Sequence, residues 1–134
     1  MSLAKAIELP ARLAGLEIDA YQAERWCGLA PELLDRRPDQ VSGGELQRAC
    51  IVRALALRPD SLILHEITAM PDARSARALL ARVRKVTDQR GIGGLLLSHD
   101  QSAFAECADR RCTMRASPDG PVRRPLHSHH IIPE

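Results

Sequence analysis

The spacing of apolar positions changes several times along the chain, and each change marks an expected element. Residues 2–36 carry apolar side chains at helical intervals, with interruptions expected near Pro10, Gly28 and Pro31. Arg37-Pro38-Asp39-Gln40 reads as a turn. Residues 45–57 are apolar on most faces, which predicts a buried helix that Arg58-Pro59-Asp60 ends. Leu62-Ile63-Leu64 is a short continuous apolar run, the pattern of a buried strand. Asp72 can cap a further helix reaching about Arg90, whose apolar set Ala76, Leu79, Leu80, Val83 and Val86 follows the i, i+3, i+4, i+7 rule. The arginines of that helix fall on its opposite face and read as solvated, and Gly91 is its natural stop. Leu95-Leu96-Leu97 predicts a second strand, residues 101–108 a short helix and 111–114 a third strand. From Ala116 the chain turns rich in Pro, Arg and His, and a disordered tail is expected there. The sequence has no internal repeat.

The most informative stretch is Val41-Ser42-Gly43-Gly44-Glu45-Leu46-Gln47-Arg48, a Ser-Gly-Gly turn that opens the buried helix. A helix start leaves backbone N–H groups without intrahelical partners and carries partial positive charge. Glycines let a phosphate approach the backbone, and a serine hydroxyl adds a donor. The turn therefore reads either as an anion-binding site or as an ordinary Ser N-cap before a core helix. Downstream, Ser61-Leu62-Ile63-Leu64-His65-Glu66 is an apolar run that ends in an acid. Gly94-Leu95-Leu96-Leu97-Ser98-His99-Asp100 is a second run, ending in a histidine.

These ordered motifs resemble the C-terminal half of an ABC transporter ATP-binding subunit. Val41 to Arg48 is similar to that family's Leu-Ser-Gly-Gly-Gln-x-Gln-Arg signature, with Val for Leu and Glu for Gln. Ile51-Val52-Arg53-Ala54-Leu55-Ala56-Leu57-Arg58-Pro59 looks like the conventional continuation of that signature, and Ser98-His99-Asp100 like the switch-histidine motif. The resemblance runs from about Ala23 to Met114. The wording Gln47-Arg48-Ala49-Cys50 is similar to the nickel and oligopeptide importer branch. The fold this implies is α/β: a partial P-loop-type ATPase core of parallel strands flanked by helices, with part of the helical subdomain and without the P-loop half. Residues 1–40 would be the remnant of the helical subdomain, 41–115 the signature helix and later half of the core, and 116–134 the tail.

The resemblance also assigns roles. Ser42, Gly43, Gly44 and Glu45 would reach across a dimer to the γ-phosphate of ATP held by a partner. Glu66 would be the general base that polarises the attacking water, and a strand-end acid is its plain structural reading. His99 would be the switch histidine contacting the γ-phosphate, or else a capping or core histidine beside Asp100. Asp72 would be the D-loop aspartate. Where the family reads Asp-Glu-Pro-Thr-Ser-Ala-Leu-Asp, this chain reads His65-Glu66-Ile67-Thr68-Ala69-Met70-Pro71-Asp72. His65 thus replaces the aspartate that holds Mg²⁺, a hard cation that prefers oxygen ligands, so the position is degenerate. Pro71 fixes φ and removes an N–H from the same loop.

The P-loop pattern G-x-x-x-x-G-K-[ST] does not occur, because neither Lys5 nor Lys85 follows a glycine. Gly91-Ile92-Gly93-Gly94 precedes a strand, whereas phosphate loops follow one and open a helix. By the resemblance Met1 would lie past the family's P-loop and glutamine loop. ATP and Mg²⁺ are then family cofactors that this chain alone is not expected to bind. The partners implied are a P-loop-containing ATPase half or subunit and a membrane permease.

Composition adds bounds. A chain of 134 residues accommodates one domain at most. Its hydrophobic content of 45% suffices for a core, but with one Trp, one Tyr and one Phe that core must be aliphatic. A net charge of +2 is too balanced to argue for a nucleic-acid partner, and the 17 arginines are spread along the chain. No apolar run approaches the ~20 residues that span a bilayer, and the scattered apolar start with Glu8 and Pro10 is not a signal peptide. The four cysteines form no C-x-x-C pair, so reduced thiols in a cytoplasmic protein are expected, with Cys50 a small buried hydrophobe. By family, the location would be peripheral at the inner face of the membrane. His127, His129 and His130 in the tail could bind Zn²⁺ or Ni²⁺ only weakly, and no metal site is expected there.

Three functional readings stay open. The chain could be one piece of a split ATPase, a non-catalytic module that docks on an intact ATPase subunit, or a gene remnant without function.

Overall fold

The computed structural model describes residues 1–67, 72–100 and 107–113. Helix α1 (Leu3–Leu13) buries Leu3, Ile7 and Ala11, a stripe at i, i+4, i+8. The sequence pattern predicted a break at Pro10, yet α1 runs through it. The buried stripe continues to Ala11 on the far side of the proline, so packing holds the turn despite the missing N–H. The interruption comes instead at Gly15, with φ +72, where the Leu16 N–H reaches the Ala11 carbonyl and the Gly15 N–H that of Arg12. At the other end of α1, the Leu3 and Ala4 N–H groups donate to the carbonyls of Arg36 and Leu34, closing the first segment on itself.

Helix α2 (Ala23–Cys27) is one turn and a half, entered through a 3-10 turn (Ala20–Gln22) that Asp19 caps. Gly28 ends it in the left-handed region, φ +67. The open carbonyls there accept from two arginines. Arg48 Nη1 donates to Cys27 O at 2.9 Å, and Arg82 Nη1 to Glu24 O at 3.3 Å. A β-carbon at Gly28 would lie 3.1 Å from Arg48 Nη1 and 3.3 Å from Arg82 Cζ. The left-handed φ favours glycine here, and a β-carbon would also press on these two guanidinium groups.

Helix α3 (Gly43–Ala56) follows two further 3-10 turns, Pro31–Leu33 and Pro38–Gln40. It buries Ala49, Ile51, Val52, Leu55 and Ala56, while Cys50 and Leu57 face solvent. The expectation of a helix buried on most faces, with Cys50 inside, is thus corrected, because α1 and α2 cover only one side of it. The buried cysteine is Cys27, whose thiol burial pushes up to about 12 against the opposing effect of Arg48 and Arg82, which leaves it unreactive.

Strand β1 (Ser61–His65), helix α4 (Ala73–Arg90) and strand β2 (Gly93–Leu97) form a βαβ unit. The strands pair in parallel, Ile63 opposite Leu95 and His65 opposite Leu97. Asp72 caps α4 and Gly91 (φ +65) stops it, both as the sequence predicts. One face of the sheet joins the core through Leu62, with Leu64 and Leu96 packed against it. The other face is bare, with Ile63 65% and Leu95 53% exposed. The strand expected to be buried throughout is therefore buried on one side only.

A single aliphatic cluster from Leu3 to Val86 runs through all of these helices and includes Leu29, Leu34, Leu55 and Leu79. The arginines of α4 are less solvated than their helical position suggests. The Arg90 guanidinium lies 4.1 Å from the Trp26 ring centroid and donates to Leu55 O, tying α4 to α2 and α3. Arg84 pairs with Asp88 and reaches Cys107 O and Asp109 Oδ1, both at 2.7 Å, which holds residues 107–113 on α4. No strand forms at 111–113; position 114, most of the expected helix at 101–108 and the tail histidines lie outside the described residues.

Gly28→Ala should lower stability by about 1–3 kcal/mol, since it combines left-handed strain with displacement of the Arg48 and Arg82 contacts. Urea denaturation followed by circular dichroism measures it. An unchanged midpoint would show that the α2 terminus is not held by these arginines.

Candidate functional site

The Ser-Gly-Gly turn is a reciprocal cap. Ser42 Oγ accepts from the Glu45 N–H at 3.3 Å, and Glu45 Oε2 accepts from the Ser42 N–H at 2.7 Å and from its hydroxyl at 2.8 Å. These bonds, the backbone one first, hold the Glu45 carboxyl below its ordinary range. Spacing of Ser and Glu three residues apart is the sequence mark of this cap, and it was legible without coordinates. Gly43 carries neither a left-handed φ nor a neighbour: a β-carbon there would meet nothing within 4 Å. No contact among the described residues demands glycine at this exposed position, and the turn is open to solvent there. The cap and the anion-binding reading are therefore compatible, since the cap engages the Ser42 and Glu45 N–H groups while Gly43 leaves the turn accessible.

Arg48, in the same motif, does not point to this turn. Its bond to Cys27 O makes it the strut between α3 and the end of α2, a role that sequence reading missed because its partner is a backbone carbonyl far along the chain.

The second cluster lies where the parallel strands end. Pairing of His65 with Leu97 continues one residue further, with the Glu66 N–H donating to Leu97 O at 2.8 Å. Glu66 leaves β1 with φ +53, a left-handed conformation that costs a non-glycine residue about 1 kcal/mol and is common at functional positions. His99 Nδ1 comes within 3.0 Å of Glu66 Oε2, an ion pair when the imidazole is protonated. Oε2 is buried, and no donor is aligned on it as a hydrogen bond, so the His99 approach is a close contact rather than a formed bond. The imidazole itself is 85% exposed. The Glu66 side chain is 33% exposed, so a water reaches it at atoms other than the enclosed Oε2.

His65 is exposed at the end of β1. Among the described residues no group of three or more His, Cys, Asp or Glu could hold a metal ion. An imidazole is also a poor ligand for this hard cation, so the residues present do not fit it. Asp72 is fully engaged at the start of α4: Oδ1 accepts from the Arg74 N–H at 3.0 Å, and Oδ2 from the Ser75 N–H at 3.1 Å and the Ser75 hydroxyl at 2.6 Å. The Ser75 hydroxyl first, then these N–H groups, hold its carboxyl low. Positions 68–71, which connect Glu66 and Ile67 to Asp72, lie outside the described residues.

Comparison with known proteins places this arrangement. No family model matches the sequence. The nickel import ATP-binding protein NikE of Brucella abortus is 42% identical over 86 residues, 64% of this chain and 32% of the relative. The molybdenum import ATP-binding protein ModC of Methylococcus capsulatus is 37% identical over 114 residues, 83% of this chain and 32% of the relative. A bacterial ABC transporter cassette solved as a dimer has the same fold, with a TM-score of 0.69 at 20% identity, over 80% of this chain and 50% of that one. A post-hydrolysis state of that cassette contains ADP and Pi and matches with a TM-score of 0.68. The chain belongs to the ATP-binding subunits of ABC transporters and has part of their α/β cassette fold. It spans about a third of the length of these curated relatives. No helix among the described residues is long and apolar enough to cross a membrane.

Ser42→Ala should cost about 1 kcal/mol, from the lost cap, while Gly43→Ala should leave stability within about 1 kcal/mol of the parent. The two caps also give a pH dependence. Glu45 and Asp72 have folded pKa values below their unfolded ones, so their contribution is full at neutral pH and is lost as pH falls through the carboxylate range. Melting temperature against pH checks this, and Glu45→Gln should flatten the acid limb. A limb of equal steepness in that variant would show that the cap carries no linked proton.

Proposed function

We propose that this chain is the signature- and base-bearing part of an ABC importer ATPase and works with a P-loop supplied by another segment or polypeptide. The observation that carries the reading is the meeting of Glu66 and His99 at 3.0 Å, at the ends of two parallel strands. In this reading Glu66, the general base, orients and polarises the attacking water through its part-exposed side chain. His99, exposed beside it, contacts the γ-phosphate. Gly43 and Gly44 present backbone donors to the ATP of a partner subunit, Ser42 adds its hydroxyl by giving up the bond to Glu45 Oε2, Glu45 locks the turn through the Ser42 N–H, and Asp72 fixes the start of α4 behind the D-loop. Residues 1–40 serve as part of the helical subdomain and 41–115 as the later half of the core. ATP is bound mainly by the P-loop part, since this sequence has no such loop or lysine. The assembly sits at the inner face of a membrane, on a permease. Identity to the Brucella relative and the wording from Gln47 to Cys50 support nickel or peptide as cargo. Molybdenum and sulfate import relatives of similar identity support the broader class of importers equally.

A second reading rests on His65 and Pro71. Both depart from the family pattern at the metal and D-loop positions, which supports a non-catalytic module that docks on an intact ATPase subunit. A complex with an intact subunit whose turnover is indifferent to Glu66→Gln would favour this alternative.

The chain alone should show no saturable Mg-ATP affinity in the micromolar range, and isothermal titration measures it. A tight one-site isotherm would sink the assignment. With a P-loop part supplied in trans, Glu66→Gln should lower steady-state phosphate release by roughly 100-fold or more, the usual contribution of a general base. His65→Asp should raise that release. If neither substitution changes turnover in a complex that binds ATP, the strand-end acid is structural.

A further inference from the structure

The end of α2 gathers more positive charge than the described residues balance. Arg48 Nη1 lies 3.1 Å, and Arg82 Cζ and Nε each 3.3 Å, from the point where a β-carbon at Gly28 would stand. Two guanidinium groups, one from α3 and one from α4, therefore converge over the bare backbone of Gly28. Among the described residues neither forms an ion pair with a carboxylate. Like charges this close repel, and Arg48 meets that repulsion at a part-buried position, where water screens it less.

What the two arginines have in compensation is a set of carbonyls. Arg48 Nη1 donates to Cys27 O and approaches Gly28 O at 3.4 Å, and Arg82 Nη1 donates to Glu24 O. The end of a helix carries only about half an elementary negative charge, and α2 is five residues long. Two full positive charges exceed that. The nearest titratable group adds nothing negative, because burial keeps the Cys27 thiol protonated although both guanidinium groups favour the thiolate. Glu45 stands three residues from Arg48 on α3 but turns Oε2 to Ser42.

Both arginines also keep donors free. Each bonds through Nη1, so the Nε–Nη2 edge of each, the edge that holds two oxygens at once, has no partner among the described residues. This charge does not belong to the Ser-Gly-Gly turn. Arg48 follows Ser42 by six residues, roughly 9 Å along the axis of α3, and is directed to α2 instead.

We propose that Arg48 and Arg82 form a binding site for a small tetrahedral oxyanion of the phosphate or sulfate type at the carbonyl end of α2. One pair of its oxygens takes the free edge of Arg48 and another pair that of Arg82. A carboxylate has two oxygens only and would satisfy one edge, leaving the second cation without an anion. The bound anion would join α2, α3 and α4 through charges that now oppose one another. This site needs no P-loop and no second copy of the chain, so it is independent of the proposed function.

The test titrates inorganic phosphate into the full chain at constant ionic strength and follows it by nuclear magnetic resonance. The Gly28 amide and the Nε–H signals of Arg48 and Arg82 should shift together and saturate in the millimolar range or below. Arg82→Gln, at an exposed position, should weaken binding by about tenfold or more, since it removes one of the two charged edges. Arg48→Lys should weaken it as well, because an ammonium keeps the charge and loses the fork. Circular dichroism confirms that the variants fold, and Arg53→Gln, exposed elsewhere on α3, should bind as the parent does. Phenyl phosphate distinguishes the source: binding of both probes assigns the site to a phosphoryl group carried on a larger molecule, and binding of inorganic phosphate alone assigns it to the free anion. Shifts that never saturate, that spread equally over the other arginines or that survive Arg82→Gln overturn the proposal. Saturation by succinate without saturation by phosphate overturns it too, in favour of a carboxylate partner.

Discussion

Two parallel strands cannot be joined by a tight turn, and in this chain α4 is the crossover that joins them. Its capped start at Asp72 and its glycine stop at Gly91 set its length, and its buried Leu79, Leu80 and Val83 seat it on the core. Register between β1 and β2 follows, and with it the position of everything at the strand ends. Glu66 and His99 are far apart in sequence and belong to different loops. They meet only because His65 pairs with Leu97. A slip of one residue would turn Leu62 outward and separate the carboxylate from the imidazole.

The helices that carry this unit are held by arginine contacts in addition to aliphatic packing. Arg48 and Arg82 close the carbonyl end of α2, and Arg90 stacks on Trp26 while donating to Leu55 O. A guanidinium suits this use, since its flat fork can stack on an aromatic ring and donate to carbonyls at once. Because Arg48 belongs to the signature motif itself, the helix behind the Ser-Gly-Gly turn is bolted to α2.

The capped turn and the strand-end pair differ in how finished they are. Ser42 and Glu45 satisfy one another, and Asp72 satisfies the first N–H groups of α4. Glu66 Oε2 has no aligned donor, Gly43 borders open space, and one face of the sheet is bare. The caps at Ser42 and Asp72 are thus closed by near neighbours, whereas the Glu66 carboxylate and the bare sheet face are not.

Local physics was legible in the sequence. Asp72 and Gly91 bound α4 because a carboxylate accepts from free N–H groups and glycine tolerates positive φ, effects that involve only near neighbours. The apolar runs of both strands, the helix behind Ser42 and the order of motifs belong to the same category. The break expected at Pro10 did not occur, since burial of Leu3, Ile7 and Ala11 against α3 outweighs one missing hydrogen bond. Exposure of Cys50 and Ile63 was also illegible, because an apolar run does not reveal whether a covering layer is present. The parts played by Arg48, Arg82, Arg84 and Arg90 depend on carbonyls and rings brought near by folding, so no spacing rule could have found them. The sequence by itself determined the elements, their caps and the candidate residues Ser42, Glu66 and His99. Only the tertiary structure decided which of these meet, because strand register and helix packing join groups that local spacing leaves independent.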